Sequence, residues 1–163
     1  MFVSYAVAMR VCLTTDIAAP IDRVWRALTI PDEVRAWDGV DPLDVPIHYP
    51  QAGQHARWRS AFGPLRLTLH DRIREIDDGL RMAATIDIAF VHVDEEYRLA
   101  PTAKGGTTLI TDDSVRSHIP GLNWLALQLT RANVQASMAR LKAFCEQPAS
   151  KPPPRGATRR GHP

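Results

Sequence analysis

The chain has 163 residues, of which 45% are hydrophobic, and its formal net charge is +2 at pH 7. This length and apolar content predict a single domain with a real hydrophobic core. No run of about 18 apolar residues occurs, so the sequence predicts no stable insertion into a membrane.

The charge is distributed unevenly along the chain. Residues 147–163 contain four basic residues and no acid, so this segment carries +4 and the remainder of the chain carries −2. The prolines and the charge of residues 147–163 predict a disordered basic tail. The mildly acidic remainder predicts no basic face for nucleic acid.

The two cysteines, Cys12 and Cys145, lie far apart and form no metal or redox motif. Unpaired thiols of this kind are typical of a cytoplasmic protein. Residues 1–8 are apolar but lack the basic n-region of a signal peptide, so we interpret them as an N-terminal extension. Met9 is an equally good start, because regular structure is predicted from that residue.

One strand and two short helices are predicted first. Alternating apolar residues predict a strand over 10–17. Pro20 is suited to the first turn of a helix over 20–30. Pro31 ends that helix and begins a second one over 31–37.

A series of strands follows, and the period-two alternation is clearest over residues 65–76. The turn signals Asp77-Asp78-Gly79 and Lys104-Gly105-Gly106 separate strands that adjoin along the chain. The predicted strands cover residues 45–49, 55–62, 65–76, 80–90, 91–99 and 107–115. Their order predicts an antiparallel sheet with one apolar face, which another element must cover.

The last predicted element is a long helix over residues 120–146. Its apolar stripe is formed by Leu127, Val134, Met138, Leu141 and Cys145. Because no other predicted element is long enough to cover the sheet, we expect this helix to lie against the apolar face. We also expect the helix and the sheet to enclose a cavity.

Residues 19–37 carry alanine, proline and tryptophan at spacings that resemble the SRPBCC superfamily, also called START-like or helix-grip proteins. The matching residues are Ala19, Pro20, Val24, Trp25, Leu28, Pro31 and Trp37. The stretch YRLAPTAKGGTTL resembles the late hairpin of that superfamily, and the long helix resembles its closing element. The resemblance covers residues 9–146 and is closest to the polyketide cyclase/dehydrase-like subgroup, with the chaperone-ATPase activators second.

The resemblance implies an α+β helix-grip fold, in which a curved antiparallel sheet wraps around a long C-terminal helix and two short helices follow strand 1. It also implies that a small hydrophobic molecule, such as a lipid or a polyketide, is bound between sheet and helix. The oligomeric state is left open between monomer and homodimer.

Five polar residues fall on strand faces that otherwise point inward. They are Asp71, Glu95, Tyr97, Thr111 and Asp113. Burial raises the pKa of a carboxyl group and suits it to acid–base catalysis, and a tyrosine can donate to a carbonyl or an enolate. The candidate catalytic residues are therefore Tyr97, Glu95 and Asp113. A structural or exposed role remains open, because strand ends fray and a bulge reverses the faces.

The candidate ligand-binding residues lie on the inward strand faces and on the long helix. They are Trp58, Phe62, Leu67, Leu69, Met82, Ile86, Tyr97, Leu109, Thr111, Trp124, Leu127, Val134 and Met138. A purely structural role is an equally good interpretation of Trp58 and Phe62. His118, Leu122, Trp124 and Leu125 are expected at the entrance of the cavity.

No metal site and no cofactor are predicted. The histidines His48, His55, His70 and His92 do not have the spacing of a zinc site. The sequence also contains no glycine-rich phosphate loop and no GxSxG motif.

The sequence is compatible with three functions. The protein binds or carries a small hydrophobic ligand, or it is a cyclase/dehydrase-type enzyme, or it is an interaction module like the chaperone activators.

Overall fold

The computed structural model describes residues 8–62 and 64–148. The predicted extension and tail therefore lie outside the described residues, apart from residues 8, 147 and 148. The elements are β1 (Met9–Ile17), α1 (Ile21–Thr29), α2 (Pro31–Asp38), β2 (Asp41–Asp44), β3 (His55–Phe62), β4 (Leu65–Asp77), β5 (Arg81–Ile88), β6 (Val91–Pro101), β7 (Thr107–Ser117) and α3 (Asn123–Glu146).

Within these residues the strands form one antiparallel sheet in the order β1-β7-β6-β5-β4-β3-β2. Strands β2 to β7 are neighbours in chain order, and β1 pairs with β7 at the far edge. In β7, buried residues alternate with less buried ones from Thr107 to Val115. This alternation gives the sheet one inner face and one outer face.

Helix α3 lies across the inner face and packs against β1 and β7, as well as against α1 and α2. Its buried residues are Ala126, Val134, Ser137, Met138, Leu141 and Cys145. All of them except Ser137 join the inner-face residues Val11, Leu109 and Val115 in the main hydrophobic core. The predicted α+β helix-grip fold is thereby confirmed.

Local signals explain the two short helices. Pro31 occupies the first turn of α2, where its missing N–H is not needed, and two acidic residues follow it at the positive end of the helix. Gly39 ends α2 with φ 74°, a left-handed conformation that glycine adopts at little cost. The indole Nε1 of Trp37 donates to the carbonyl of Ala27 at 2.7 Å, which fixes α2 against α1.

Two predicted boundaries were wrong. The strand expected over 45–49 is instead β2 (Asp41–Asp44), and the following segment folds over the sheet so that Tyr49 packs edge-on against Trp58. Pro46 and Pro50 flank this segment and cannot donate to a strand ladder. Helix α3 begins at Asn123 and not at residue 120, because Gly121 has φ 83° and interrupts the helical path.

The outer face of β3 and β4 is more basic than the net charge suggested. Five exposed arginines lie on it, namely Arg57, Arg59, Arg66, Arg72 and Arg74. The register places Arg57 opposite His70 and His55 opposite Arg72. Alternation therefore collects on one surface charges that are balanced elsewhere in the chain, and one of these arginines, Arg57, is paired with Asp44 at 3.3 Å.

None of the helices described in residues 8–62 and 64–148 is long and apolar enough to cross a membrane.

The packing of α3 can be tested with two leucines on the same helix. Leu141 is fully buried, whereas Leu125 is 38% exposed. We expect Leu141→Ala to lower the free energy of unfolding by about 2–5 kcal/mol, because it leaves a cavity in the core. Leu125→Ala should lower it by about 1 kcal/mol or less. Urea denaturation measures both, and equal losses would contradict the packing described.

Candidate ligand-binding site

The inner face of the sheet is only partly covered by α3. Seven strands spaced about 4.8 Å apart span roughly 29 Å, whereas a helix is only about 10–12 Å across. Helix α3 therefore packs on the β1–β7 side and makes no substantial contact with β3, β4 or β5 among the described residues. On those strands Leu67, Leu69, Ile86 and Ile88 remain half-buried. We call this incompletely covered inner surface beside α3 the inner groove.

The floor of the inner groove carries three carboxyl groups on three strands. Asp71 lies on β4, Glu95 on β6 and Asp113 on β7, and all three belong to the inner face. Glu95 and Asp113 are directly opposite each other in the β6–β7 register. Asp113 is 1% exposed, while Glu95 keeps some accessible surface although protein surrounds it. The two carboxyl groups are therefore deeply placed, and one of them remains partly accessible to solvent.

Tyr97 links this floor to the groove wall. Its hydroxyl donates to Oε1 of Glu95 at 2.7 Å, and it lies opposite Thr111 in the register. The Thr111 hydroxyl donates to the sulfur of Met138 on α3 at 3.4 Å. Helix α3 therefore contacts the sheet next to the tyrosine and leaves the side toward β5 open.

Burial makes the acids of the groove weak. It raises the pKa of Asp113 to about 7, with a smaller contribution from the charge of Asp112. Burial raises the pKa of Glu95 well above its usual range, and the nearby charge of Asp113 raises it further. Burial, followed by the charge of Glu95, also raises the pKa of Tyr97. Near neutral pH the pair Glu95–Asp113 therefore retains a proton, as two close carboxyl groups do.

A second acid pair, which the sequence did not indicate, lies beside β3. The hydroxyl of Tyr49 donates to Oδ2 of Asp71. Burial raises the pKa of Asp71 even though this hydrogen bond opposes the shift. Tyr49 lies in a proline-flanked segment without periodicity, so no pattern in the sequence places it next to Asp71.

Two buried carboxylate oxygens have no hydrogen-bond partner among the described residues. They are Oδ1 of Asp71 and Oδ1 of Asp113. Buried polar atoms without a partner are rare and costly in folded proteins. A hydroxyl group of a bound molecule would supply the missing donor.

The structure brings the three candidate catalytic residues together, and it divides the candidate ligand-binding residues by burial. Leu67, Leu69, Ile86, Tyr97 and Leu127 are half-buried and line the inner groove. The more deeply buried ones are Trp58, Met82, Leu109, Thr111, Val134 and Met138. Trp124 is 65% exposed at the start of α3, and the side chain of Phe62 lies outside the described residues.

His118, which was expected at the entrance, lies on the outer side of the sheet. Its Nε2 is 3.1 Å from Oδ1 of Asp87, an outer-face residue of β5. None of the groove carboxyls lines the two surface depressions, one of ≈ 210 Å³ at the β1 edge beside Arg10 and Arg131 and one of ≈ 250 Å³ beside His92 and His118. The chemistry of the inner face and that of the outer face are therefore separate.

The raised pKa of Asp113 predicts a dependence of stability on pH. Between the usual aspartate pKa of about 4 and the folded value of about 7, the folded protein holds a proton that the unfolded chain has released. The free energy of unfolding therefore falls as the pH rises through this range. Asp113→Asn should be more stable than the wild type by up to about 4 kcal/mol near pH 8 and little changed near pH 4.

Urea denaturation at both pH values measures this effect. Asp77→Asn at the exposed end of β4 is the matched control, and it should keep the wild-type dependence on pH. An Asp113→Asn profile that runs parallel to the wild type would show that Asp113 does not retain its proton.

Comparisons with known proteins agree with this architecture. The sequence model of the family described as "Polyketide cyclase / dehydrase and lipid transport" matches residues 8–146. A search of the curated proteins finds no match. Among solved structures, protein CV1439 from Chromobacterium violaceum is 22% identical, with a TM-score of 0.66 over 84% of this chain and 97% of that one.

Two further structures share the fold. Protein Ms6760 from Mycobacterium smegmatis is 13% identical, with a TM-score of 0.70 over 87% of this chain and 92% of that one. DynU16, a protein in the dynemicin biosynthetic locus, is 22% identical, with a TM-score of 0.63 over 85% of this chain and 47% of that one. The family match spans every strand and helix described above, so the chain belongs to the polyketide cyclase/dehydrase and lipid transport family.

Proposed function

We propose that the inner groove binds a small, mainly apolar molecule that carries an uncharged polar group at its deep end. The observation that supports this most directly is the combination of half-buried apolar walls with weak acids on the floor. Leu67, Leu69 and Ile86 offer apolar surface that a ligand can cover. This is the usual composition of a small-molecule site, in which a few polar groups orient a mainly apolar ligand.

The floor favours a neutral polar group on the ligand. A protonated carboxyl group of the Glu95–Asp113 pair can donate a hydrogen bond, and Oδ1 of Asp113 can accept one. A carbonyl or hydroxyl group satisfies these atoms, whereas a carboxylate would add a third negative charge to the site. We therefore expect ketones, alcohols or phenols to bind better than fatty-acid anions.

A pair of substitutions on β4 tests the binding site. Leu67→Gln places a polar group in the groove wall, whereas Thr68→Gln places the same side chain on the exposed outer face. Leu67→Gln should weaken binding of a hydrophobic fluorescent probe at least about tenfold, because it leaves a buried amide without partners. Thr68→Gln should bind like the wild type.

Native mass spectrometry of the purified protein gives an independent measurement. A small apolar compound that co-purifies with the wild type, and is reduced in Leu67→Gln, would support the proposal. A wild-type protein that carries no compound and takes up no hydrophobic probe would contradict it.

A second function, acid–base catalysis on the bound molecule, is favoured by the coupling of Glu95 and Asp113. At neutral pH one carboxyl group of the pair can accept a proton while the other keeps one. With Tyr97 as a donor beside them, the site can remove a proton next to a carbonyl group and stabilise the enolate. Cyclisation and dehydration of a polyketide both require this step.

Deuterium exchange tests the catalytic step without knowledge of the natural substrate. We expect the wild type to accelerate exchange at the α-carbon of a hydrophobic methyl ketone in D₂O. Glu95→Gln and Tyr97→Phe should reduce this rate about a hundredfold or more, because each removes a proton-transfer group. Glu96→Gln, its outer-face neighbour paired with Arg81, is the matched control and should retain the rate.

Exchange that persists in Glu95→Gln would exclude this mechanism and leave simple binding. An interaction module, the third possibility, would keep its protein partner when Leu67→Gln blocks the groove. We further propose a cytoplasmic location, which is supported by the free thiols Cys12 and Cys145, and a monomer or homodimer that needs no cofactor.

A further inference from the structure

Three possible metal ligands converge on the outer face of the sheet, away from the inner groove. They belong to Asp87, His92 and His118, and one ligand atom from each residue lies within 4.8 Å of the others. Oδ1 of Asp87 is 2.8 Å from Nδ1 of His92 and 3.1 Å from Nε2 of His118. We propose that Asp87, His92 and His118 form a binding site for a divalent transition-metal ion of the Zn²⁺ type.

The distances fit such an ion. Zn²⁺ binds histidine nitrogens and carboxylate oxygens at about 2.0–2.2 Å, which places neighbouring tetrahedral ligand atoms roughly 3.3 Å apart. The observed separations from Oδ1 of Asp87 differ from this value by only a few tenths of an ångström. Two imidazoles and one carboxylate leave the fourth position to water, as in a zinc site with three protein ligands.

The surroundings hold His92 in the orientation that metal binding requires. Its Nε2 is buried, has no hydrogen-bond partner among the described residues, and lies 3.7 Å from Oδ2 of Asp94. Asp94 is fixed by Arg116 at 3.0 Å and by the Thr85 hydroxyl at 3.2 Å. When Nδ1 binds a metal ion, the ring proton is on Nε2, which faces the Asp94 carboxylate slightly beyond hydrogen-bond distance. A carboxylate behind a metal-binding histidine is the usual arrangement.

The site is accessible and is not opposed by an unpaired cation nearby. The side chains of His92, Asp87 and His118 are 18%, 45% and 56% exposed, and the depression of ≈ 250 Å³ lies beside the two histidines. Arg116, which lines the same depression, is paired with Asp94 at 3.0 Å.

The backbone brings the three ligands from separate parts of the sequence. Asp87 lies near the end of β5, His92 lies opposite it at the start of β6, and His118 follows β7. The N–H of His118 donates to the carbonyl of Phe90 at 2.8 Å, which fixes this segment on the β5–β6 turn. This separation explains why histidine spacing in the sequence predicted no metal site. The proposal is independent of any ligand in the inner groove.

Titration calorimetry with ZnCl₂ on the untagged full-length protein, after removal of metals with a chelator, tests the site. We expect one Zn²⁺ per chain in the wild type. Asp87→Asn and His118→Ala should each weaken binding at least about tenfold, because each removes one ligand. His48→Ala removes an exposed histidine from outside the cluster and should bind Zn²⁺ like the wild type.

Co²⁺ provides a second measurement that reports geometry. The wild type should give the intense visible absorption of four-coordinate Co²⁺, and His118→Ala should lose it. Because His118 is exposed, this variant should keep the thermal midpoint of the metal-free wild type, which a melting experiment verifies. No uptake of Zn²⁺ by the wild type, or uptake that is unchanged in both Asp87→Asn and His118→Ala, would overturn the proposal.

Discussion

One helix is too narrow for the sheet that it must cover, and the rest of the site depends on this mismatch. Helix α3 buries its stripe against β1 and β7, where Leu109 and Leu141 are fully buried. On β4 and β5 one end of the inner face is left half-buried, at Leu67, Leu69, Ile86 and Ile88. The other end, at Ile73, Met82 and Ala84, is buried. Burial of apolar surface stabilises the fold where the helix lies and leaves a driving force for a ligand where it does not.

The same mismatch explains the acids on the floor. Asp113 and Glu95 lie where the cover passes from protein to open groove, so they are desolvated without gaining a cationic partner among the described residues. A buried carboxyl group without such a partner lowers stability, and proteins tolerate it mainly at functional sites. The cost to stability and the capacity to hold a proton at neutral pH therefore have one origin.

The fold could be predicted because the segments with the clearest hydrophobic periodicity are also the most deeply buried strands and helix. Alternation in β6 and β7 correctly placed Glu95, Tyr97 and Asp113 on one face, and the stripe on α3 identified the covering helix. Alternation could not show how much of the face the helix covers, because width is a property of the assembled sheet. For that reason the sequence predicted a cavity, whereas the structure shows an inner surface that the helix covers incompletely.

Sequence periodicity does not predict contacts between segments that are distant along the chain. Tyr49 reaches Asp71 from a segment that has no repeat, and His118 meets Asp87 only because the β5–β6 turn and the end of β7 share one end of the sheet. The register shift between Ile73 and Glu75 could not be predicted either. It interrupts the strict alternation of β4, so that Ile76 points toward the core. Such features depend on pairing, which a single sequence does not display.

Acidic residues on the two faces of β6 and β7 are treated differently, although they are adjacent in sequence. On the inner face, Glu95 and Asp113 are kept weakly acidic by burial. On the outer face, Asp94 and Asp112 are paired with Arg116 and Arg10. Because successive side chains point to opposite faces, a slip of one residue in register would bury the ion pairs and expose the groove acids. The same strand register therefore positions both the acids of the inner groove and the histidine cluster of the outer face. A change in that register would disrupt both sites.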